Sequence, residues 1–145
     1  MPLYVRGPGI AAGRRIDTLV SNADLAPTFA GWAGARVPRN LDGRSLEPLL
    51  RGGSSPNRRL VGIASQTATP SVPAWRGVRT PTHTYVRYGT GEVELYDNVA
   101  DPLQLRSLAG QRSSRALLEA LEGRSVALAT CAASRCGSLE DAPLR

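Results

Sequence analysis

A chain of 145 residues, 41% hydrophobic and 21% charged, can form one domain with a modest core. Its net charge of +6 rests on arginine alone, and the arginines are spread along the chain rather than set in a stripe interleaved with aromatics, which argues against a nucleic-acid partner. No apolar run is long enough to span a bilayer and no secretory signal opens the chain, which argues against a membrane anchor and makes this chain, on its own, cytoplasmic.

Residues 3–5 are a short apolar, extended run that ends at Arg6. Gly7-Pro8-Gly9 and Gly13-Arg14-Arg15 are turns, and residues 16–20 are again extended. Ser21-Asn22-Ala23-Asp24 carries N-cap chemistry, and Pro27 follows in the first helical turn, where a missing N–H costs little. The helix runs through Phe29 and Trp32 to Gly34, and those two rings, three residues apart, are expected to anchor it in a core. Asp42-Gly43-Arg44-Ser45 is a turn, and residues 45–50 form a short helical turn closed by Gly52-Gly53.

Ser54-Ser55-Pro56-Asn57 reads as a linker, and the texture changes beyond it. Residues 60–64, 75–80, 84–88 and 93–96 read as strands, the last two joined by a Gly89-Thr90-Gly91 hairpin turn. A turn at 97–102 follows, and a helical pattern is expected to begin at Leu105 and Leu108. Residues 113–128 are amphipathic, with Leu117, Leu118, Leu121 and Leu128 as the apolar stripe. The expected organisation is residues 1–53, then a small antiparallel unit at 54–110, then a helix and tail at 111–145.

Candidate chemistry is sparse. Cys131 and Cys136 are the only cysteines, and His83, the only histidine, lies far from them, so a zinc site is a poor reading. A short-loop disulfide is preferred over free thiols and points to an oxidising compartment. Asp17, Asp24 and Asp42 could form a carboxylate cluster, but Asp24 reads as a helix cap and Asp42 as a turn residue. The Pro-containing loop 65–75 ends in Trp75-Arg76, an aromatic beside a guanidinium that suits a sugar ring and an anionic substituent. Packing for the tryptophan and solvation for the arginine is the plainer reading. His83, in the turn after Pro81, is a further weak substrate-binding candidate.

In order along the chain, Leu3-Tyr4-Val5-Arg6-Gly7-Pro8-Gly9-Ile10, Asp24-Leu25-Ala26-Pro27-Thr28, Ala33-Gly34 and Asp42-Gly43-Arg44-Ser45-Leu46 resemble successive segments of the sulfatase family. Val78-Arg79-Thr80, Glu94-Leu95-Tyr96-Asp97, Asp101-Pro102 and Leu108-Ala109 continue the resemblance over residues 1–109. The Cys131–Cys136 spacing is similar to tails of N-acetylglucosamine-6-sulfatase-like members. Asn98, Ser107 and Thr84 depart from the family's usual apolar, asparagine and lysine residues.

The resemblance implies an α/β, alkaline-phosphatase-like sulfatase fold, of which only the C-terminal portion is present. That portion would comprise the last strand and helix of the large domain plus a small antiparallel sheet with one packed helix. It also implies an exported parent enzyme that hydrolyses sulfate esters with calcium and a formylglycine. The family's metal ligands, formylglycine motif and catalytic lysines all lie upstream of the segment matched by residues 3–10. No catalytic residue, metal ligand or cofactor is therefore expected in this chain, and its partners would be the missing N-terminal half and, for the full-length enzyme only, a sulfate ester. Met1 stands where members carry valine or isoleucine, as a mis-read GTG start would give.

Cys131-Ala132-Ala133-Ser134-Arg135 fits the formylglycine signal C-x-[PA]-x-R, but it sits at the wrong end of the chain and without accompanying carboxylates. A disulfide-closed tail is preferred. The alternatives are a non-catalytic arginine-rich module for sulfated glycans and a fragment of a related phosphodiesterase.

Overall fold

The structure is a computed structural model and describes residues 3–36, 41–54 and 58–144; the expected linker falls largely outside these. Residues rich in β-branched and aromatic side chains form one antiparallel sheet in chain order: β1 (Val61–Ser65), β2 (Trp75–Arg79), β3 (His83–Tyr88) and β4 (Val93–Asp97). At the β3–β4 turn the Tyr88 amide donates to Glu92 O at 2.9 Å, and Gly91 takes the φ of 106° that favours glycine. Gly62, Val78, Tyr85 and Leu95 stand opposite one another across all four strands and so share a face. Val78, Tyr85 and Leu95 join Leu60 and Leu121 in a fully buried core.

Leu121 comes from α3 (Arg115–Ala129), whose apolar stripe of Leu117, Leu118, Leu121 and Leu128 packs on this face as its periodicity requires. A methyl group placed on Gly62 would lie 3.6 Å from Leu128 Cδ1, so the helix passes close over β1.

The helix expected from Leu105 does not form. Leu105 is exposed, and the chain there stays irregular until the 3-10 turn Arg112–Ser114 that leads into α3. The reason is competition from the edge of β4. The Leu108 amide donates to Leu95 O at 2.7 Å, and Ser107 Oγ accepts from the Leu95 amide at 3.2 Å, which ties the segment to β4 instead of to a helical partner. Two other unusual residues also pair: Thr84 Oγ1 donates to Asn98 Oδ1 at 2.8 Å, and the Gln104 side-chain amide donates to both, at 3.1 and 2.9 Å. Thr84 and Asn98 are thus two halves of one local polar contact.

In the first third, Ser21 and Asp24 form a capping box around the 3-10 turn Asn22–Asp24 that opens α1 (Leu25–Trp32), and Gly34, at φ 64°, follows its end. Thr28 Oγ1 accepts from the Leu46 amide at 2.8 Å, joining α1 to α2 (Glu47–Leu50). Residues 3–5 and 16–20, expected to be extended, belong to no paired strand among the described residues. One expectation fails here. Phe29 and Trp32 do share a face, with ring centroids 5.9 Å apart, but they are 57% and 40% exposed rather than anchored in a core. The buried residues of α1 are Pro27 and Thr28 instead. A final helix, α4 (Ser134–Asp141), lies in the disulfide-closed tail.

Candidate functional site

One buried side-chain cluster and one cleft organise the molecule. The cluster centres on Asp24, which is fully buried. Its oxygens accept from Arg58 Nη1 at 2.5 Å and Nη2 at 2.9 Å, from the Arg44 amide at 2.9 Å, and from the Ser21 amide at 2.8 Å. Asp24 therefore supplies the acid of a capping box whose N-cap is Ser21, and is also the partner of a buried arginine. The remaining Arg58 nitrogen, Nε, lies 2.9 Å from Glu140 of α4. Arg44 then bridges outward to Glu140 at 3.4 Å and Asp141 at 2.8 Å.

The two carboxylates shift in opposite directions. Burial pushes Asp24 upward, but the Arg58 side chain and the Arg44 and Ser21 amides outweigh it and hold the group below 3.8. Burial pushes Glu140 upward as well; there Arg58 and Arg44 offset it only in part and the Asp24 charge adds to it, so the group sits above 4.5. One guanidinium, bidentate to Asp24, serves Glu140 through a single edge.

Tail and N-terminal segment are also joined at Asp42, whose Oδ1 accepts from the Ala133 amide and lies 3.7 Å from Cys136 Sγ. Cys131 and Cys136 form a disulfide that closes the turn between α3 and α4. Reducing it, or replacing both cysteines with serine, should cost about 2 kcal/mol by the entropy of so short a loop. Amide exchange should rise first in α4. Unchanged protection of α4 after reduction would show that the ion pairs alone hold it.

The cleft, about 580 Å³, lies between the 61–65 end of the sheet, the second half of α3 and the capping turn at Ser21. Arg58, Arg76, Arg87, Ser125, Glu140 and Cys136 are among its lining residues. Trp75 and Arg76 both border it, but strand alternation sends their side chains to opposite faces of the sheet. The pair therefore does not act as one aromatic-plus-guanidinium unit on a single face. Arg76 shares a face with Arg87, directly opposite it on β3, and Arg87 Nη1 donates to Glu122 of α3 at 2.6 Å. His83 begins β3 at the far end of that strand, outside the cleft, with Nδ1 2.9 Å from Thr82 Oγ1.

Arg58, Glu140, Arg87 and Ser125 were not singled out from the sequence. In a chain of eighteen arginines, nothing local marks Arg58 as buried.

The donor set does not suit a calcium or formylglycine site. Asp24 is committed to Arg58, Asp17 to Arg15 at 3.0 Å, and Cys131 to its disulfide. Among the described residues no three histidine, cysteine or acidic side chains converge. Among the same residues no helix is long and apolar enough to cross a membrane.

Comparison with known proteins bears directly on this arrangement. Residues 1–130 match the family model "N-sulphoglucosamine sulphohydrolase, C-terminal". An N-acetylglucosamine-6-O-sulfatase of Bacteroides thetaiotaomicron is 31% identical over 134 residues, covering 84% of this chain and 24% of that protein. A solved 2-O GAG sulfatase superposes with a TM-score of 0.67 at 31% identity, over 90% of this chain and 32% of that one. A phosphonate monoester hydrolase of Agrobacterium radiobacter superposes with a TM-score of 0.66 at 25% identity, over 81% and 26%. The chain spans about a quarter of the length of the curated relatives it matches. With a family model matched over most of its length, and with sulfatases among both its sequence relatives and its structural neighbours, this chain belongs to the sulfatase family and corresponds to the C-terminal part of its alkaline-phosphatase-like fold.

Proposed function

We propose that this chain is the scaffold end of a sulfuric ester hydrolase and that the bond-breaking groups belong to a preceding catalytic portion. The observation that carries the reading is the match of residues 1–130 to a C-terminal family model, in relatives roughly four times as long. The commitments of Asp24 to Arg58 and of both cysteines to a disulfide are in keeping with that reading. Leu3, Tyr4, Phe29 and Trp32 are each exposed, and they are apolar groups that the catalytic portion would cover. The boundary near residue 54 is then a division within one enzyme, bridged by Arg58 and Arg44. The disulfide suits an exported parent.

The 145-residue chain, offered p-nitrophenyl sulfate with calcium, is expected to show no turnover. A chimera in which residues 1–130 replace the matching quarter of the Bacteroides relative is expected to fold and hydrolyse N-acetylglucosamine 6-sulfate. Turnover by the chain alone, abolished by changing one of its own side chains, would refute the proposal. A second reading, as the end of a phosphonate or phosphate-ester hydrolase, is favoured by the Agrobacterium structure. The nucleophile in the preceding portion would decide between the two.

A further inference from the structure

We propose that Arg76, Arg87 and Ser125 form a binding site for one tetrahedral oxyanion, the sulfate ester of a sugar, at the 64–76 end of the cleft. The choice of sulfate over other oxyanions rests on the sulfatase reading above; the anion site itself rests on geometry. Arg76 and Arg87 are directly opposed on β2 and β3, an arrangement that repels unless an anion lies between or beside the two charges. Glu122 neutralises Arg87 from α3, while Arg76, exposed, has no ion pair among the described residues. One positive charge is therefore left over on this face.

The second observation is independent of charge. Ser125 is 3% exposed, yet its Oγ has no hydrogen-bond partner, a state that buried hydroxyls rarely keep. Ser125 lies one helical turn beyond Glu122, on the same face of α3, and borders the cleft together with Arg76 and Arg87. Beside them the cleft is bordered by Ala64, the β1 partner of Arg76, whose side chain is a single methyl group. A guanidinium fork plus a hydroxyl donor is the chemistry that holds a sulfate oxygen set.

The acidic residues of the cleft lie at its other end. Glu140 O accepts from the Leu60 amide, four residues or roughly 13 Å along the chain from Ala64, the β1 partner of Arg76. Glu140 is already paired with Arg58 and Arg44, and Asp42 is engaged by the Ala133 amide.

The test is titration of the full 145-residue chain, followed by amide and arginine side-chain NMR. The probes are N-acetylglucosamine 6-sulfate, unsulfated N-acetylglucosamine, inorganic sulfate and inorganic phosphate. Saturable shifts at Arg76, Arg87 and Ser125 with the sulfated sugar, and none with the unsulfated one, are expected. Arg76→Gln should weaken binding at least about tenfold through loss of a charge-assisted contact. Ser125→Ala should weaken it about threefold while leaving the unfolding midpoint unchanged or raised, because it removes an unpartnered buried hydroxyl. Arg115→Gln, in an exposed ion pair elsewhere on α3, should change nothing. Shifts confined to other residues, or an Arg76→Gln chain that binds as well as the parent, would overturn the site. Phosphate binding as tightly as sulfate would overturn the choice of anion. Neither failure touches the scaffold proposal, which is read from turnover by the chimera.

Discussion

Arg58→Ala should unfold this chain or bring it close to unfolding. The guanidinium is 4% exposed and Asp24 is fully buried, so the substitution leaves a buried carboxylate without its cation. Breaking a buried pair from one side costs about 3–5 kcal/mol, against a total stability on the order of 5–15 kcal/mol for a domain. The loss extends beyond the pair, since Arg58 also reaches Glu140 and thereby fastens α4 to the segment that carries α1. Asp24→Asn should be nearly as severe, because it removes the charge that faces two guanidinium nitrogens. Replacing both partners with apolar residues, Asp24→Leu with Arg58→Met, should cost less than either single change, although the Arg44 and Ser21 amides would lose their acceptor. Urea midpoints of the two single variants and the double variant check this. Equal costs for all three would mean that the pair acts as inert packing.

The same cluster sets a pH profile whose two limbs have different owners. Asp24 is held below 3.8, so its contribution is fully present above that value and is lost as pH falls through its folded value. Glu140 sits above 4.5, so the folded state binds more protons than the unfolded state there, and stability declines as pH rises from 4.5 through its folded value. Asp97, lowered by the Ala100 and Val99 amides, adds to the acid limb. Glu140→Gln should flatten the upper limb and leave the acid limb in place. A decline above pH 4.5 that survives in Glu140→Gln would assign that limb to another group.

Gly43→Ala is the second change expected to have a large effect. A Cβ at this position would lie 2.0 Å from Ala23 O and 2.7 Å from the Asp24 nitrogen, both of them backbone atoms that cannot rotate away. Relief requires the 42–44 turn to withdraw from the capping turn, which breaks the 2.9 Å bond from the Arg44 amide to Asp24. The cost should be about 3 kcal/mol or more, at the upper end of overpacking. Gly123→Ala is the control. It lies within α3 with nothing within 4 Å of its Cβ position, and should stabilise by about 1 kcal/mol through helix propensity. Circular-dichroism melts of the two variants should therefore move in opposite directions. Similar shifts would mean that the close approach at Gly43 is not maintained in solution.

Gly43 also shows why part of this protein is readable without coordinates. The Asp42-Gly43-Arg44-Ser45-Leu46 segment marked a turn and helped to indicate the family, because a close backbone approach leaves a residue-type signature. The strands, the β3–β4 turn, the α1 cap at Ser21 and the stripe of α3 were legible for the same reason. Each rests on local periodicity or turn chemistry, which acts over a few neighbouring residues. The disulfide was legible because the chain holds only two cysteines.

What the sequence by itself determined, then, is the family, the succession of the four strands and the face of α3 that is buried. Only the tertiary structure decided that Arg58 is the buried arginine among the described residues, that α4 returns to clamp the N-terminal segment, and that Trp75 and Arg76 face apart while Arg76 and Arg87 face together. It also decided that Phe29 and Trp32 stay exposed and that residues 105–111 follow the edge of β4 instead of forming a helix. These outcomes depend on partners separated by up to about a hundred positions, such as Arg44 and Asp141, and no local pattern encodes a charge pair that the chain must fold to bring together.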